Sequence, residues 1–121
     1  MATIKPVWTE GVSIRSAATL AAAATAGYDL DLDTLGADAY EVQINITIGS
    51  SSGVTVEVFG SANSGTVDDD VPIVAYTTGT TEIRTLRLAG AHRRLLLTND
   101  DGSNATGNIS ILGAWRQWDS T

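Results

Sequence analysis

The side chains able to do chemistry fall into a few groups. His92 is the one histidine, and Arg93 and Arg94 follow it directly. A histidine becomes a general base when a carboxylate orients it and a nucleophile stands beside it. Positive charge beside a histidine does not supply the orienting partner a general base needs, and no serine or orienting carboxylate lies within sequence reach. A strand-end histidine without a catalytic role is the expectation. Asp29, Asp31 and Asp33 alternate, so on a strand they share one face at roughly 6.5 to 7 Å intervals. That spacing suits glycoside hydrolysis only when a sugar cleft faces it. No groove of aromatics accompanies them, so they read as solvated charge that discourages pairing at a sheet edge.

Hard oxygen donors gather twice, at Asp68, Asp69 and Asp70 and at Asn99, Asp100 and Asp101. Calcium takes such donors, but neither cluster has the EF-hand spacing. No metal, cofactor or catalytic residue is assigned, and no glycine-rich phosphate loop occurs. Glycosylation sequons begin at Asn45, Asn104 and Asn108. They carry no weight without a secretory signal, and Asn45 and Asn108 are also placed within strands. Near the end of the chain Trp115 and Trp118 bracket Arg116 and Gln117. Tryptophan and arginine are over-represented at protein interfaces, and tryptophan also stacks on sugars. Trp115 shares the parity of Ile109 and Ile111 and is expected in the core, which leaves Trp118 as the interface candidate. Trp8 is either a plug for the domain's own core, the favoured reading, or an anchor on a neighbouring subunit.

Charge is unevenly spread. The chain carries −7 overall. Between residues 83 and 118, however, Arg84, Arg87, Arg93, Arg94 and Arg116 face only Asp100 and Asp101, so that stretch is +3 and the remainder −10. These arginines are interface candidates for an acidic partner surface, against the plainer reading of solvated strand faces. The acidic total argues against general nucleic-acid binding, which needs a basic footprint. There is no cysteine, hence no disulfide framework or thiolate chemistry. No run approaches 18 apolar residues, and residues 1–10 carry Lys5, Pro6 and Glu10 in place of an apolar signal core. A soluble protein with neither membrane span nor secretory signal is expected.

The elements that must position these groups are strands. Val, Ile, Leu, Thr, Ala and Gly dominate, with Ser, Thr, Gly and Asn between the apolar runs, as in an all-β domain with many turns. Residues 39–48 alternate Tyr40, Val42, Ile44, Ile46 and Ile48 against Glu41, Gln43, Asn45 and Thr47, the period of a strand with one buried face. At about 3.3 Å per residue it crosses a small domain. The turn 49–53 leads to a strand over 54–59, and the two are predicted to pair as a hairpin. A strand over 28–33, inside an extended stretch from 22 to 33, is predicted on the other side of residues 39–48. Further strands are predicted over 71–77, 82–88, 92–98 and 108–115, separated by polar turns. The Ala-rich residues 20–27 favour helix by propensity but lack an amphipathic stripe. The predicted architecture is all-β: a single antiparallel, jelly-roll-like β-sandwich of about eight strands over 20–121. An N-terminal arm or edge strand over 1–19 precedes it. The polar side of 39–48 has only Glu41 for charge, so the arm or a second subunit is expected to cover it.

The order of features resembles a known family. An Ala/Thr/Gly-rich lead-in runs into Tyr28 to Asp33, then LGAD at 35–38 and the alternating strand. VEVFGSANSGTVDDD follows at 56–70, and LLLTNDDG at 95–102. This is similar to the small β-sandwich virion proteins of tailed bacteriophages, the head decoration (cement) and tail-associated type. The aromatic that usually follows the S-x-x-G loop is replaced here by Val67. The resemblance implies a non-enzymatic virion structural protein, made in the host cytoplasm and carried on the capsid surface. Its implied partners are the major capsid protein and copies of itself, often as a trimer, with no nucleic acid and no membrane. A different class, a carbohydrate- or receptor-binding module on a tail or a secreted protein, would use Trp118, Gln117 and Arg116 or the loops 61–70 and 99–106.

Overall fold

Two-faced strands need a second layer, and this chain supplies it with a second sheet. The structure, a computed structural model, describes residues 4–9, 11–32, 39–61, 71–90 and 92–120. The side chains at 4–6, 61 and 117–120 lie outside that description. Among the described residues nine elements are strands: β1 (Ile4–Trp8), β2 (Val12–Ala18), β3 (Thr25–Asp31), β4 (Ala39–Ile46), β5 (Val54–Ser61), β6 (Val74–Thr78), β7 (Glu82–Leu88), β8 (His92–Asn99) and β9 (Ile109–Ser120). One sheet has the order β1-β9-β4-β7, with β2 also paired to β9, and the other has β3-β8-β5-β6. All pairings are antiparallel. The two antiparallel sheets make the expected β-sandwich, with nine strands among the described residues in place of about eight, and most successive strands change sheet, β1–β2 and β5–β6 excepted.

The core lies between the sheets. Val42, Ile44 and Ile46 from β4 and Ile109 and Ile111 from β9 are completely buried. So are Val54, Val56 and Val58 from β5 and Leu95 and Leu97 from β8, in the facing sheet.

The predicted hairpin between residues 39–48 and 54–59 does not form. β4 pairs with β7 and β9, and β5 with β6 and β8. Each of these strands carries an unbroken apolar face, and stacking lets one cover the other where a hairpin would leave both needing cover. Residues 47–53 are long enough to cross the roughly 10 Å between layers. At that corner Gly49 has φ +59°, and a Cβ there would meet the Gly107 nitrogen at 2.7 Å, so only glycine fits. Likewise the strand over 28–33 is not β4's neighbour, since β3 pairs with β8 in the other sheet.

The N-terminal residues are part of the first sheet. β1 and β2 run end to end along one edge of β9, which makes β9 longer than the predicted 108–115. Asn108 falls just outside it. Thr9 bridges the two by exchanging hydrogen bonds with the Trp115 backbone. The Ala-rich stretch turns at 21–24 with Ala23 in the left-handed region, and β3 begins only at Thr25. Helix propensity loses there because the buried Asn99 side chain donates to the Leu20 and Ala21 carbonyls. Its Nδ2 also reaches Asn104 O, and its Oδ1 accepts from Ser51 Oγ at 2.7 Å and from the Asp101 N–H. No helix among the described residues is long and apolar enough to cross a membrane.

Asp101 caps the same knot. Its carboxylate accepts the N–H groups of Ser103, Asn104 and Ser52, and these bonds hold its pKa down at about 2 against an ordinary 3.8.

Ile44→Ala should cost about 2–5 kcal/mol in a denaturant titration, while Asn45→Ala on the same strand stays within about 0.5 kcal/mol. A depressed carboxylate stabilises the fold fully above its unfolded pKa and loses that contribution as pH falls through the folded one. Asp101→Asn should therefore lower the midpoint at neutral pH. Its deficit against the native chain should shrink from about pH 4 downward and vanish below about pH 2.

Candidate functional site

Because Tyr40, Val42, Ile44 and Ile46 point inward, their alternates form the outer face of the first sheet. Cross-strand register assembles that face in rows. Trp8, Arg116 and Ala39 form one row; Ala114, Glu41 and Arg87 the next; Leu112, Gln43 and Thr85 a third; Ser110, Asn45 and Ile83 the last. The N-terminal strands lie beside β9 in the plane of the sheet, so the arm does not cover this face.

The face mixes exposed apolar groups with compensated charge. Trp8 is 40% exposed, Leu112 42% and Ile83 64%. Trp8 therefore lies outside the core, contrary to the favoured expectation. The guanidinium carbons of Arg87 and Arg116 sit 5.9 and 6.0 Å from its ring centroid, within cation–π range. Arg87 also directs Nη2 and Nε onto one Glu41 oxygen, at 2.7 and 3.2 Å. Beside this cluster is a shallow depression of about 220 Å³, lined by Gly11, Glu41, Gln43, Thr85, Leu112 and Ala114. An apolar floor ringed by hydrogen-bonding groups and paired charges is what a protein interface presents.

The five arginines singled out by charge do not share a surface. Arg84 faces inward on β7, its guanidinium 3.8 Å from the Tyr76 ring and its Nε 3.4 Å from Glu82, and it closes the side of the sandwich between β7 and β6. Burial pushes the Tyr76 hydroxyl up to about 12, with Arg84 opposing the shift. Arg93 turns into the end of the sandwich, where Nη1 donates to His92 O at 2.7 Å and Nη2 to Ala89 O. A Cβ at Gly90 (φ +123°) would overlap its guanidinium at 2.1 Å, so glycine leaves the room it occupies. Arg94 lies on the outer face of the second sheet, 4.0 Å from Asp29. Only Arg87 and Arg116 stand on the Trp8 face. Trp118 lies opposite Pro6 in the β1–β9 ladder, and its side chain is outside the described residues.

Two residues that sequence spacing left apart are joined by the fold. The β3–β8 ladder sets Asp31 opposite His92, with Oδ1 3.0 Å from Nδ1. An orienting carboxylate is thus in reach after all. Asp29 and Asp31 occupy an edge strand, as their edge-guarding reading requires, while Asp33 lies outside the described residues. In the 99–101 cluster, the oxygens of Asn99 and Asp101 are turned to backbone and side-chain donors, and Asp100 accepts from Thr55 Oγ1 at 2.6 Å. Among the described residues no three His, Asp or Glu side chains converge as a metal site; Asp68, Asp69 and Asp70 lie outside them. Trp115 packs on the core and stacks on Tyr40 at 5.7 Å between centroids. Sequence reasoning missed Arg15, which bonds the Tyr28 hydroxyl at 2.7 Å and closes the side opposite Arg84. Its isolation among apolar and small residues of β2 was the available signal.

Arg93→Glu should lower the melting temperature by several degrees, by placing a carboxylate among the carbonyls of Ala89 and His92. Arg94→Glu, half-buried on the outer face of the same strand, should leave it within about 2 °C. Thermal unfolding followed by circular dichroism reads both.

No family model matches this chain, and no curated protein matches it. Solved structures do. The SPBc2 prophage-derived protein YomS aligns over 93% of this chain and 96% of its own, with a TM-score of 0.52 and 16% identity. PirA aligns over 84% and 92%, with a TM-score of 0.52 and 13% identity. The C-terminal family 22 carbohydrate-binding module of Clostridium thermocellum Xyn10B aligns over 94% and 80% at 19% identity, but its TM-score of 0.45 is too low to carry weight. At these identities the likeness establishes shared architecture: the chain is a β-sandwich of the shape found in a prophage-derived protein and in PirA.

Proposed function

We propose that this chain is a non-enzymatic structural protein of a phage-type particle, a decoration or cement protein that clamps neighbouring subunits of the major capsid protein. The observation that carries the reading is the outer face of the first sheet. On a chain of charge −7 it is nearly balanced, it exposes Trp8 and Leu112, and no other part of the described chain covers it. The shared shape with a prophage-derived protein supports the particle context. The acidic second sheet, with Asp29 and Asp31 outward, then faces solvent and keeps particles apart.

The mechanism is linkage. A protein that binds the assembled shell and not its dissociated subunits stabilises the shell by about 2.7 kcal/mol when its free concentration is a hundred times its dissociation constant. Trp8 is the anchor in this scheme, held between Arg87 and Arg116, and Leu112 fills the partner's surface beside it.

Co-sedimentation with expanded shells of a tailed-phage major capsid protein is the test. Leu112→Glu and Trp8→Ala should each weaken binding at least tenfold, in line with about 2 kcal/mol for an aromatic hot spot; Arg94→Glu on the opposite face should not. Failure of the native chain to sediment with shells would sink the reading. Micromolar glycan binding lost in Trp8→Ala or Trp118→Ala would replace it with the carbohydrate-binding alternative.

A further inference from the structure

The sandwich has open strand edges, and most carry a recognisable guard against pairing with another chain. β1 contains Pro6, and β2 has register shifts between Ser13 and Arg15 and between Arg15 and Ala18. β3 presents Asp29 and Asp31. β6 is five residues long, with Pro72 just before it. β7 differs in that its charges, Glu82, Arg84 and Arg87, are of both signs and do not repel a second copy as the aspartates of β3 do. It pairs with β4 in unbroken register over seven residues, contains neither proline nor glycine, and has no strand on its other side among the described residues.

The same side of the sandwich exposes apolar groups and holds an unmet polar atom. The Arg84–Tyr76 contact places β6 beside β7. Leading into β6, Val71 is 67% and Ile73 56% exposed, and on β7 Ile83 is 64% exposed. Burial strips the Tyr76 hydroxyl of solvent and leaves it without a hydrogen-bond partner, while the buried Glu82 Oε1 has only a long ion pair with Arg84 Nε of its own chain, at 3.4 Å. Buried polar atoms of this kind are normally satisfied.

We propose that a second copy of this chain docks here, pairing β7 antiparallel with its own β7 about a two-fold axis at Ile83. Charge complementarity selects this occupant. An axis at Ile83 sets Glu82 opposite Arg84 of the other copy, and Arg84 opposite its Glu82, while the two Ile83 side chains meet on the outer face. The strand is self-complementary in this register, as an isologous contact requires. Shifting the axis to Thr85 would place Glu82 opposite Leu88 and lose the match. The second Arg84 joins the long Glu82–Arg84 pair already present within each chain, and the β6 lead-ins, with the exposed Val71 and Ile73, approach each other. The Trp8 end of the first sheet stays free, so this contact is independent of any shell binding.

Size-exclusion chromatography with light scattering tests it on the full chain at about 100 μM. The expected mass is two chains, falling to one in Ile83→Glu and in Ile73→Glu; both sites are exposed, so an unchanged circular dichroism spectrum confirms folding. Hydrogen exchange should show the outward amides of β7 protected at least tenfold in the native chain and released in Ile83→Glu. A monomer, or a dimer untouched by either substitution, overturns the proposal. So does a mass of three chains, the count the phage resemblance implies. Shell binding with a monomeric chain would remove this pairing and leave the proposed function standing.

Discussion

Everything in this structure depends on one dry layer of aliphatic side chains between two sheets. β4 and β9 contribute Val42, Ile44, Ile46, Ile109 and Ile111; β5 and β8 contribute Val54, Val56, Val58, Leu95 and Leu97, all without solvent contact. At roughly 25 cal/mol per Å² of apolar area removed from water, this is the largest favourable contribution available to a chain with no disulfide. It also fixes the outer surface, because period-2 alternation means that what faces the core determines what is left outside.

Burial alone does not close a sandwich; its sides and ends must be sealed. Both sides join an arginine of the first sheet to a tyrosine of the second, Arg15 by a hydrogen bond to the Tyr28 hydroxyl and Arg84 by lying over the Tyr76 ring. The guanidinium spans the gap with its aliphatic stem against the core and its head among acceptors. Arg15 is the better satisfied, with carbonyls of Ala18, Thr19 and Ile109 around it. One end is tied by Asn99, whose amide joins the turn before β3, the corner before β5 and the loop before β9. A buried amide with partners on both of its polar atoms rigidifies a loop cluster that no apolar residue could hold.

These seals consume residues that look functional when isolated in a sequence. Arg84 and Arg93 are cations spent on structure, Asn99 and Asp101 are oxygen donors spent on amides, and Trp115 is an aromatic spent on Tyr40. What remains outward separates by sheet in kind: Asp29 and Asp31 beside Arg94 on the second, and Trp8 and Leu112 with Arg87, Arg116 and Glu41 on the first. That separation is what makes a particle-binding reading physically coherent for a chain this acidic.

By itself the sequence determined the class, the strands and their inward sets. Alternation is a local property, and the inward residues predicted for 39–48, 54–59 and 108–115 are the ones buried. It also marked Asp29 and Asp31 as edge residues and Trp115 as core. Partnering was decided only by the tertiary structure. Residues 39–48 and 54–59 had the pattern of a hairpin, yet an apolar face can be covered from above as well as extended sideways, and no local signal distinguishes the two. The same ambiguity hid the pairing of Asp31 with His92 and the scattering of the arginines over different surfaces. Each depends on which strands lie side by side, which is settled by closing the core and not by any neighbour in sequence.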